Sequence, residues 1–393
     1  MATTYLITVS GTDRPGLAAT LFGALRDAPG GNVDITDIAQ ITIRGYLVLC
    51  VEVATGTSIT PEALAIAIAD AGVTTDGINV DVSVVQPEEF INGKRLLLTV
   101  LAPEVTDAAL ESVFQAMADC DATCERIVHL ANYPVDCYEM VVRGPNHQTL
   151  REQLTHAARG AGLDVAVQRA GLHRRSKHLV VLDADSTLLR DEVIDLIAEV
   201  GGCADEVRRI TEEAMEGHLD FSESLRRRVA LLEGLPASVL DDVRARLKFT
   251  PGARTLIRTL QRLGYVPAVV SGGFEEVLAP LLENLGVEYL AANHLEVRDG
   301  LLTGRIEGEI VDRPGKAAAL IRFAETVGVP LQQTVAIGDG ANDIDMLTLA
   351  GLGIAFNAKA VVRDHADAAL NVPYLDAVLY FLGISREEIE AEA

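Results

Sequence analysis

The feature that most constrains the fold of this chain is an apolar segment, residues 179–182, that ends in two carboxylates. Its sequence, Leu-Val-Val-Leu, is typical of a buried parallel strand, and Asp183 and Asp185 follow where that strand must end. Ligands of open α/β sheets bind at the carboxyl ends of the strands. Two like charges on one side of a strand need a compensating cation or a shared proton. The segment therefore predicts a metal-dependent site with a nucleophilic and an acid/base carboxylate, or else a turn that caps the next helix.

The composition describes a folded chain of roughly two or three domains with an acidic surface. Of its 393 residues 49% are hydrophobic, and the formal net charge is −24. That charge speaks against non-specific binding to nucleic acid and to anionic membrane surfaces. No apolar run reaches transmembrane length, and the first residues lack the pattern of a signal peptide. With five cysteines and no C-x-x-C pair, we expect reduced thiols in a cytoplasmic protein.

The order of strand and helix patterns predicts an α/β fold with two copies of a small unit before a larger domain. Residues 1–86 and 91–170 each follow the order βαββαβ, a ferredoxin-like arrangement. Residues 173–178 are basic and polar, and we expect them to be a linker. Residues 178–393 predict a Rossmann-like parallel sheet. Within them, a charged helical stretch at about residues 190–250 is too long for an ordinary crossover and predicts a helical cap.

Three further segments are expected to converge on the end of the Asp183 strand. Ser271 and Gly272 follow an apolar strand and can present a hydroxyl and bare N–H groups to an anion, although a plain turn is the alternative. Lys316 opens a helix, where its charge opposes the helix dipole; it suits phosphate, or it is an ordinary solvated lysine. Asp339 ends another buried strand and can hold a divalent cation together with Asp183. Oxygen ligands without clustered His or Cys favour Mg²⁺.

Together these segments resemble the four motifs of the haloacid dehalogenase superfamily of phosphatases. In chain order the motifs are Asp183-x-Asp185-x-Thr187, Ser271, Lys316 and Gly338-Asp339-Gly340-x-Asn342-Asp343. The resemblance covers about residues 179–393 and implies that Asp183 is the nucleophile that forms an aspartyl-phosphate. It implies that Asp185 protonates the leaving group and then activates water. It also implies Mg²⁺ held by Asp183, the backbone carbonyl of Asp185 and Asp339, with Asp343 supporting the site.

The cap segment resembles that of the phosphoserine phosphatase family within this superfamily. The residues that carry this resemblance are Glu192, the segments 214–217 and 221–229, and the segment 270–274. It implies hydrolysis of O-phospho-L-serine, the last step of serine biosynthesis. Glu192 would meet the substrate ammonium, Arg228 its carboxylate, and Met215 and Phe221 would wall the cap side. Arg suits a carboxylate because it binds one bidentately, although without the resemblance Arg228 reads as part of a solvated helix face. The residues that would surround the phosphate are Ser271, Gly272, Lys316 and Asn342.

The first small unit resembles the ACT family of amino-acid-binding regulatory domains. The residues that carry this resemblance are Asp13-Arg14-Pro15-Gly16-Leu17 and Asn32. It implies a regulatory amino acid, for which we expect L-serine, bound near Asp13, Gly16 and Asn32, and pairing of chains into a homodimer. Gly16 would let a ligand carboxylate approach the helix N-terminus, with a simple turn as the alternative. The matching loop of the second unit, residues 103–107, lacks the glycine.

Two other functions remain open at this point. One is a phosphatase that acts on another small phosphomonoester or on phosphoproteins, and the presence of Glu192 and Arg228 speaks against it. The other is an amino-acid sensor with an inactive phosphatase domain. Loss of any of four residues would indicate it, and all four are present: Asp183, Asp185, Lys316 and Asp339.

Overall fold

A computed structural model describes most of the chain. The described residues are 3–28, 33–55, 59–75, 77–85, 94–144, 146–171, 174, 176–215 and 218–391. The chain forms two compact units, Met1–Phe90 and Ile91–Ala393. The first small repeat is therefore a unit of its own, whereas the second repeat shares a compact unit with the larger domain.

The first unit is a four-stranded antiparallel sheet with two helices. Its elements are β1 (Thr3–Thr12), α1 (Leu17–Arg26), β2 (Val33–Ile43), β3 (Tyr46–Thr55), α2 (Pro61–Asp70) and β4 (Ile78–Val84). The strands hydrogen-bond in the order β2-β3-β1-β4. Alternate side chains of β1 and β3 are buried and pack against apolar side chains of both helices, as in a sheet with one covered face.

The second repeat has the same order of elements. They are β5 (Lys94–Ala102), α3 (Asp107–Ala118), β6 (Thr123–Asn132), β7 (Asp136–Gly144), α4 (His147–Ala161) and β8 (Asp164–Arg169). Its helices begin at side-chain caps: Thr106 accepts a hydrogen bond from the N–H of Ala109, and Asn146 accepts from two N–H groups of α4. The predicted pair of ferredoxin-like units is thus confirmed.

The larger domain is built on a parallel sheet. Its strands are β9 (Leu179–Asp183), β10 (Val266–Phe274), β11 (Tyr289–Arg298), β12 (Leu301–Glu307), β13 (Thr334–Gly338), β14 (Gly353–Phe356) and β15 (Ala368–Leu370). From β11 to β15 they run parallel in the spatial order β11-β10-β9-β13-β14-β15, with β12 antiparallel at the outer edge of β11. Residues Leu179–Asp183 are all buried, as expected for the middle of such a sheet. The predicted Rossmann-like core is confirmed.

Eleven α-helices follow or interrupt these strands among the described residues. They are α5 (Val193–Gly201), α6 (Ala204–Met215), α7 (Phe221–Ala230), α8 (Val239–Arg246), α9 (Ala253–Arg262), α10 (Glu275–Glu283), α11 (Arg313–Val327), α12 (Ile344–Leu349), α13 (Ala360–Arg363), α14 (Val378–Phe381) and α15 (Arg386–Ala391). Helices α5 to α8 are the predicted helical insertion that follows β9. In the part of the chain that the structure describes, no helix has the length and hydropathy needed to cross a membrane.

The second repeat and the larger domain share one sheet of eleven strands. The two halves meet where Ala166 of β8 pairs antiparallel with Ala368 of β15. The expected basic linker packs against the rest of this unit, because two of its basic side chains form ion pairs or hydrogen bonds with it. Arg174 forms a buried ion pair with Glu139 of β7, and Lys177 Nζ donates to the Gln332 carbonyl at 2.6 Å. Burial of charged groups requires such partners.

Candidate active site

The carboxyl end of β9 lies between the ends of its two neighbours. Val270 of β10 pairs with Asp183, so that Ser271 follows at the level where β9 ends. On the other side Ile337 of β13 pairs with Leu182, and the loop after β13 begins at the same level. The parallel register therefore brings the three predicted strand-end motifs to one edge of the sheet, where α/β folds bind ligands.

Three carboxylates and one ammonium form the centre of this edge. Oxygen atoms of Asp183, Asp339 and Asp343 lie within 4.8 Å of one another. Lys316 Nζ donates to Asp183 Oδ1 and to Asp343 Oδ1, both at 2.7 Å, and all three of these side chains are buried. Burial raises the pKa of Asp183 well above its ordinary value, and the charge of Asp343 adds to that effect. Burial alone would lower the pKa of Lys316, but the two carboxylates raise it, so this ammonium stays charged.

Hydrogen bonds orient the carboxylates of Asp339 and Asp343, which follow β13. The hydroxyl of Thr187 donates to Asp339 Oδ1 at 2.8 Å, and burial raises the pKa of Asp339 to about 6. The N–H of Gly340 donates to Asp343 Oδ2 at 2.9 Å. A Cβ at Gly338 would lie 2.4 Å from Asp343 Cγ, so a glycine is required for the carboxylate to fold back over the strand end. The arrangement concentrates negative charge in a small volume, which favours a cation.

Asp185 has a different environment from Asp183. Its Oδ1 accepts the N–H of Val193 at 2.9 Å, and its Oδ2 accepts the hydroxyl of Ser271 at 3.2 Å. Burial, reinforced by the charge of Glu192, raises the pKa of Asp185 to about 7. A carboxyl with that pKa can hold or release a proton near neutral pH, which suits a general acid and base. The two carboxylates of the first motif are therefore fitted for different chemistry.

The segment Ser271-Gly272-Gly273, near the end of β10, is hydrogen-bonded to the buried amide of Asn293. The N–H of Gly273 donates to Ser271 Oγ at 2.8 Å. Asn293, which is fully buried, donates from Nδ2 to the Gly272 carbonyl and accepts from the N–H of Val311, both at 2.8 Å. Asn293 thus joins the last residues of β10 to the segment that leads into α11 and Lys316. The sequence analysis missed Asn293, because a lone amide in an apolar strand has no diagnostic spacing.

The helical insertion places charged groups near the same edge. Glu192 accepts the hydroxyl of Ser186 at 2.9 Å. The charge of Arg228 interacts with Asp195, Glu192 and Asp185, although its burial lowers its pKa. The Nε of Arg228 is buried and has no hydrogen-bond partner among the described residues. Such an orphaned donor costs free energy until an acceptor binds, so Arg228 can accept an anionic partner from a ligand.

Two other predicted substrate residues are placed by the structure, and one is not. Phe221 lies beside Gly272, since a Cβ at Gly272 would lie 3.1 Å from Phe221 Cζ. Asn342 is half-buried in the turn after β13. Its Oδ1 lies beside Gly340, where a Cβ would approach it to 2.2 Å. The side chain of Met215 lies outside what the structure describes.

The predicted regulatory residues lie in the first unit. Gly16 begins α1 with φ +88°, a left-handed conformation, and a Cβ there would meet nothing within 4 Å. The N–H of Asp13 donates to the Gly45 carbonyl at 2.8 Å. Asn32 lies outside the described residues. Among the described residues of the first unit, the structure therefore has an open helix N-terminus at Gly16 and no further group that defines a ligand.

Family models match three segments of this chain. The model described as haloacid dehalogenase-like hydrolase matches residues 180–348. Models of the ACT domain match residues 3–72 and 97–168. These matches agree with the order of domains in the structure.

Whole-chain comparisons find close relatives. A phosphoserine phosphatase of Streptomyces coelicolor is 51% identical over 99% of this chain and 94% of the relative. One of Mycobacterium tuberculosis is 45% identical over 98% of this chain and 94% of the relative. A phosphoserine phosphatase solved as a phospho-aspartyl intermediate analogue is 45% identical with a TM-score of 0.50, covering 52% of this chain and 98% of the other. The chain therefore belongs to the phosphoserine phosphatase family of haloacid dehalogenase-like hydrolases, with two ACT domains before the hydrolase domain.

Proposed function

We propose that this protein is a Mg²⁺-dependent phosphatase that hydrolyses O-phospho-L-serine to L-serine and phosphate through an aspartyl-phosphate. The observation that carries the proposal is the contrast between two carboxylates at the end of β9. Asp183 accepts a hydrogen bond from the ammonium of Lys316 at 2.7 Å, which favours its charged form. Asp185 instead accepts the neutral N–H of Val193 and hydroxyl of Ser271, and its pKa of about 7 allows it to carry a proton. A covalent phosphatase needs one carboxylate as nucleophile and one that carries a proton. The names of the relatives support the substrate.

Magnesium suits the acidic centre. The groups that would hold it are Asp183, Asp339 and the backbone carbonyl of Asp185, with Asp343 supporting the site. The fit rests on three carboxylates within 4.8 Å of one another, of which Lys316 forms ion pairs with Asp183 and Asp343. Oxygen ligands of this kind are those that Mg²⁺ prefers. When bound, the cation neutralises charge on the phosphoryl oxygens.

In the first step an oxygen of Asp183 attacks phosphorus, and the bond from phosphorus to the seryl oxygen breaks. Asp185 gives its proton to that oxygen, so L-serine leaves neutral at its hydroxyl. Ser271, the N–H of Gly272 and Lys316 hold the phosphoryl group and stabilise its charge, with help from Asn342. The related phosphoserine phosphatase that was solved as a phospho-aspartyl intermediate analogue supports this step.

In the second step water takes the place of the leaving serine. Asp185, now a carboxylate, accepts a proton from the water as its oxygen attacks phosphorus. The bond between phosphorus and Asp183 breaks, which releases phosphate and restores the nucleophile. The N–H of Val193 keeps Asp185 in one orientation during both proton transfers.

The cap residues supply the specificity for an amino acid. Arg228 would bind the substrate carboxylate, which provides the acceptor that its buried Nε lacks. Glu192 would bind the ammonium, and Phe221, with Met215, would close the cap side of the site. Because the two charges of the amino acid must meet both Arg228 and Glu192, phosphorylated side chains within a protein would fit poorly. This disfavours the phosphoprotein alternative.

Serine feedback and pairing of chains are the proposed roles of the first unit. L-serine would bind at the helix N-terminus near Asp13, Gly16 and Asn32, and the enzyme would thereby respond to the product of the last step of serine biosynthesis. The edge strand β2 supports a homodimer, because an uncovered apolar edge favours pairing with another chain. Its four isoleucines are between 46% and 64% exposed, and they are Ile35, Ile38, Ile41 and Ile43.

A phosphate-release assay tests the proposal. The wild-type protein is compared on phosphoserine, phosphothreonine and phosphotyrosine, with Mg²⁺ and with a chelator, and Asp183→Asn is the matched inactive control. We expect release from phosphoserine that depends on Mg²⁺ and falls by several orders of magnitude in Asp183→Asn. Equal rates on all three substrates would support the alternative of a phosphatase with another substrate. No release from any would support the sensor with an inactive domain.

A further inference from the structure

The two ends of the helical insertion leave the core as one short ribbon. Leu189 and Phe249 form an antiparallel bridge. The N–H of Arg190 donates to the Lys248 carbonyl at 2.9 Å, and the N–H of Thr250 donates to the Leu188 carbonyl at 3.0 Å. The ribbon therefore joins residues 188–190 to residues 248–250 at the base of the cap, which also meets β12 where Pro236 pairs with Leu301.

Thr250 is the residue of the ribbon that is anchored to the core. It is 7% exposed, and its carbonyl accepts the N–H of Ala253 at 3.0 Å in the first turn of α9. The next residue, Pro251, accepts the N–H of Leu375 at 2.8 Å. Both hydrogen bonds attach residues 250–251 to the core of the larger domain, so Thr250 has little freedom to move away from the sheet.

The side chain of Thr250 connects the ribbon to the acidic centre. Its Oγ1 donates to the Thr187 carbonyl at 2.7 Å. Thr187 is fully buried, and its own Oγ1 donates to Asp339 Oδ1 at 2.8 Å. Two hydroxyls in series therefore link the base of the cap to one carboxylate of the proposed cation site.

We propose that Thr250 is a positioning residue that couples the base of the cap to cation binding at Asp339. By holding the Thr187 carbonyl, it fixes the backbone from which the Thr187 hydroxyl reaches Asp339. Groups that orient metal ligands in this way contribute to metal affinity without touching the metal. Coupling is reciprocal, so a cation at Asp339 steadies the ribbon. The inference rests on the proposed cation of this site.

The test compares Mg²⁺ binding by full-length variants, measured by isothermal titration calorimetry. Thr250→Val keeps the shape of the side chain and removes the hydroxyl, and Thr250→Ser restores it. Thr334→Val is the matched control, because Thr334 is fully buried and donates to the Leu331 carbonyl at 2.8 Å, at the opposite end of β13. We expect Mg²⁺ affinity to fall about threefold to tenfold in Thr250→Val, and to stay near wild type in Thr250→Ser and Thr334→Val.

Hydrogen exchange supplies a readout that does not depend on activity. Mg²⁺ should slow exchange at the N–H of Arg190 in the wild-type protein and have less effect in Thr250→Val. If Thr250→Val does not fold, Thr250→Ala removes the same hydroxyl without branching and should show the same loss.

If a folded variant without the Thr250 hydroxyl binds Mg²⁺ as tightly as the wild-type protein, the inference about Thr250 is wrong, but the proposed cation site is not. An equal loss of affinity in Thr334→Val would have the same meaning. Absence of Mg²⁺ binding by the wild-type protein would overturn the proposed cation, and the inference with it.

Discussion

The ammonium of Lys316 lies 2.7 Å from Asp183 Oδ1, and both side chains are buried. The same ammonium lies 2.7 Å from Asp343 Oδ1, and the carboxylate of Asp339 is close to both acids. Lys316 therefore balances only part of the charge that the fold collects at the end of β9. A site with this excess stabilises a cation and, once the cation is bound, an anionic phosphoryl group.

Lys316→Met should destabilise the metal-free protein by about 3–5 kcal/mol, because breaking a buried ion pair leaves uncompensated carboxylates. Mg²⁺ should restore part of the loss, since it supplies positive charge to the same oxygens. Urea unfolding with a chelator and with Mg²⁺ measures both effects. Lys359→Met removes an exposed lysine and serves as the control. A variant as stable as wild type in chelator would show that the pair contributes nothing to folding.

Arg228→Ala should impair phosphoserine hydrolysis far more than hydrolysis of an aryl phosphate. Only the amino acid offers the carboxylate that the buried guanidinium would bind, and losing one buried charged contact costs about tenfold to a hundredfold in kcat/KM. Arg226→Ala, an exposed arginine of the same helix, is the matched control. Equal losses on the two substrates would assign Arg228 to structure or to phosphate binding instead.

The meeting of the motifs could be predicted from the sequence, since Asp183 and Asp339 each follow a short apolar run. Such runs become central parallel strands, and parallel strands bring their carboxyl ends together. The roles of single residues such as Thr250 and Asn293 could not be predicted in this way. Each is one polar side chain whose partners are backbone carbonyls and N–H groups, so its role depends on the tertiary fold and not on local spacing.

The continuous sheet was also beyond the reach of the sequence. The contact between Ala166 and Ala368 joins strands that are far apart along the chain, and neither strand has a pattern that selects its partner. The basic composition around Lys177 indicated an exposed linker. Its side chain is nevertheless buried. The carbonyls of Gln332 and Thr334 accept hydrogen bonds from its ammonium, which offsets the cost of burying it.

Removal of residues 1–90 should leave a folded and active phosphatase, because that segment is a compact unit of its own. Removal of residues 1–175 should yield an insoluble or much less stable protein. It exposes the edge of β15 and deletes Arg151 and Gln168, which contact Asp367 and the Phe381 carbonyl at 2.9 Å and 2.8 Å. Size-exclusion chromatography and phosphate release measure both outcomes. Two equally stable truncations would mean that the second repeat is an independent domain.

The junction of the two sheet halves should weaken as pH rises from about 4 to 6. Burial raises the pKa of Asp164, whose carboxylate accepts hydrogen bonds from Asn371, from 3.8 to about 6. The folded protein thus binds a proton that the unfolded chain has lost, and the free energy of unfolding falls with pH by up to about 3 kcal/mol. Asp164→Asn should remove this part of the pH dependence in urea unfolding. Parallel stability profiles for the two proteins would contradict the assignment.

Gly16→Val should abolish inhibition by L-serine and leave uninhibited activity largely intact. Gly16 starts α1 at φ +88° with open space around it, so a branched side chain would occupy the place where a ligand carboxylate would meet the helix N-terminus. Because valine is also strained at that φ, Gly162→Val, at φ +69° with equally open surroundings in the second repeat, controls for strain. Serine titrations over a range of phosphoserine concentrations distinguish the sites. Simple competition that Gly16→Val does not change would place serine in the catalytic site as product and leave the first unit as an assembly module.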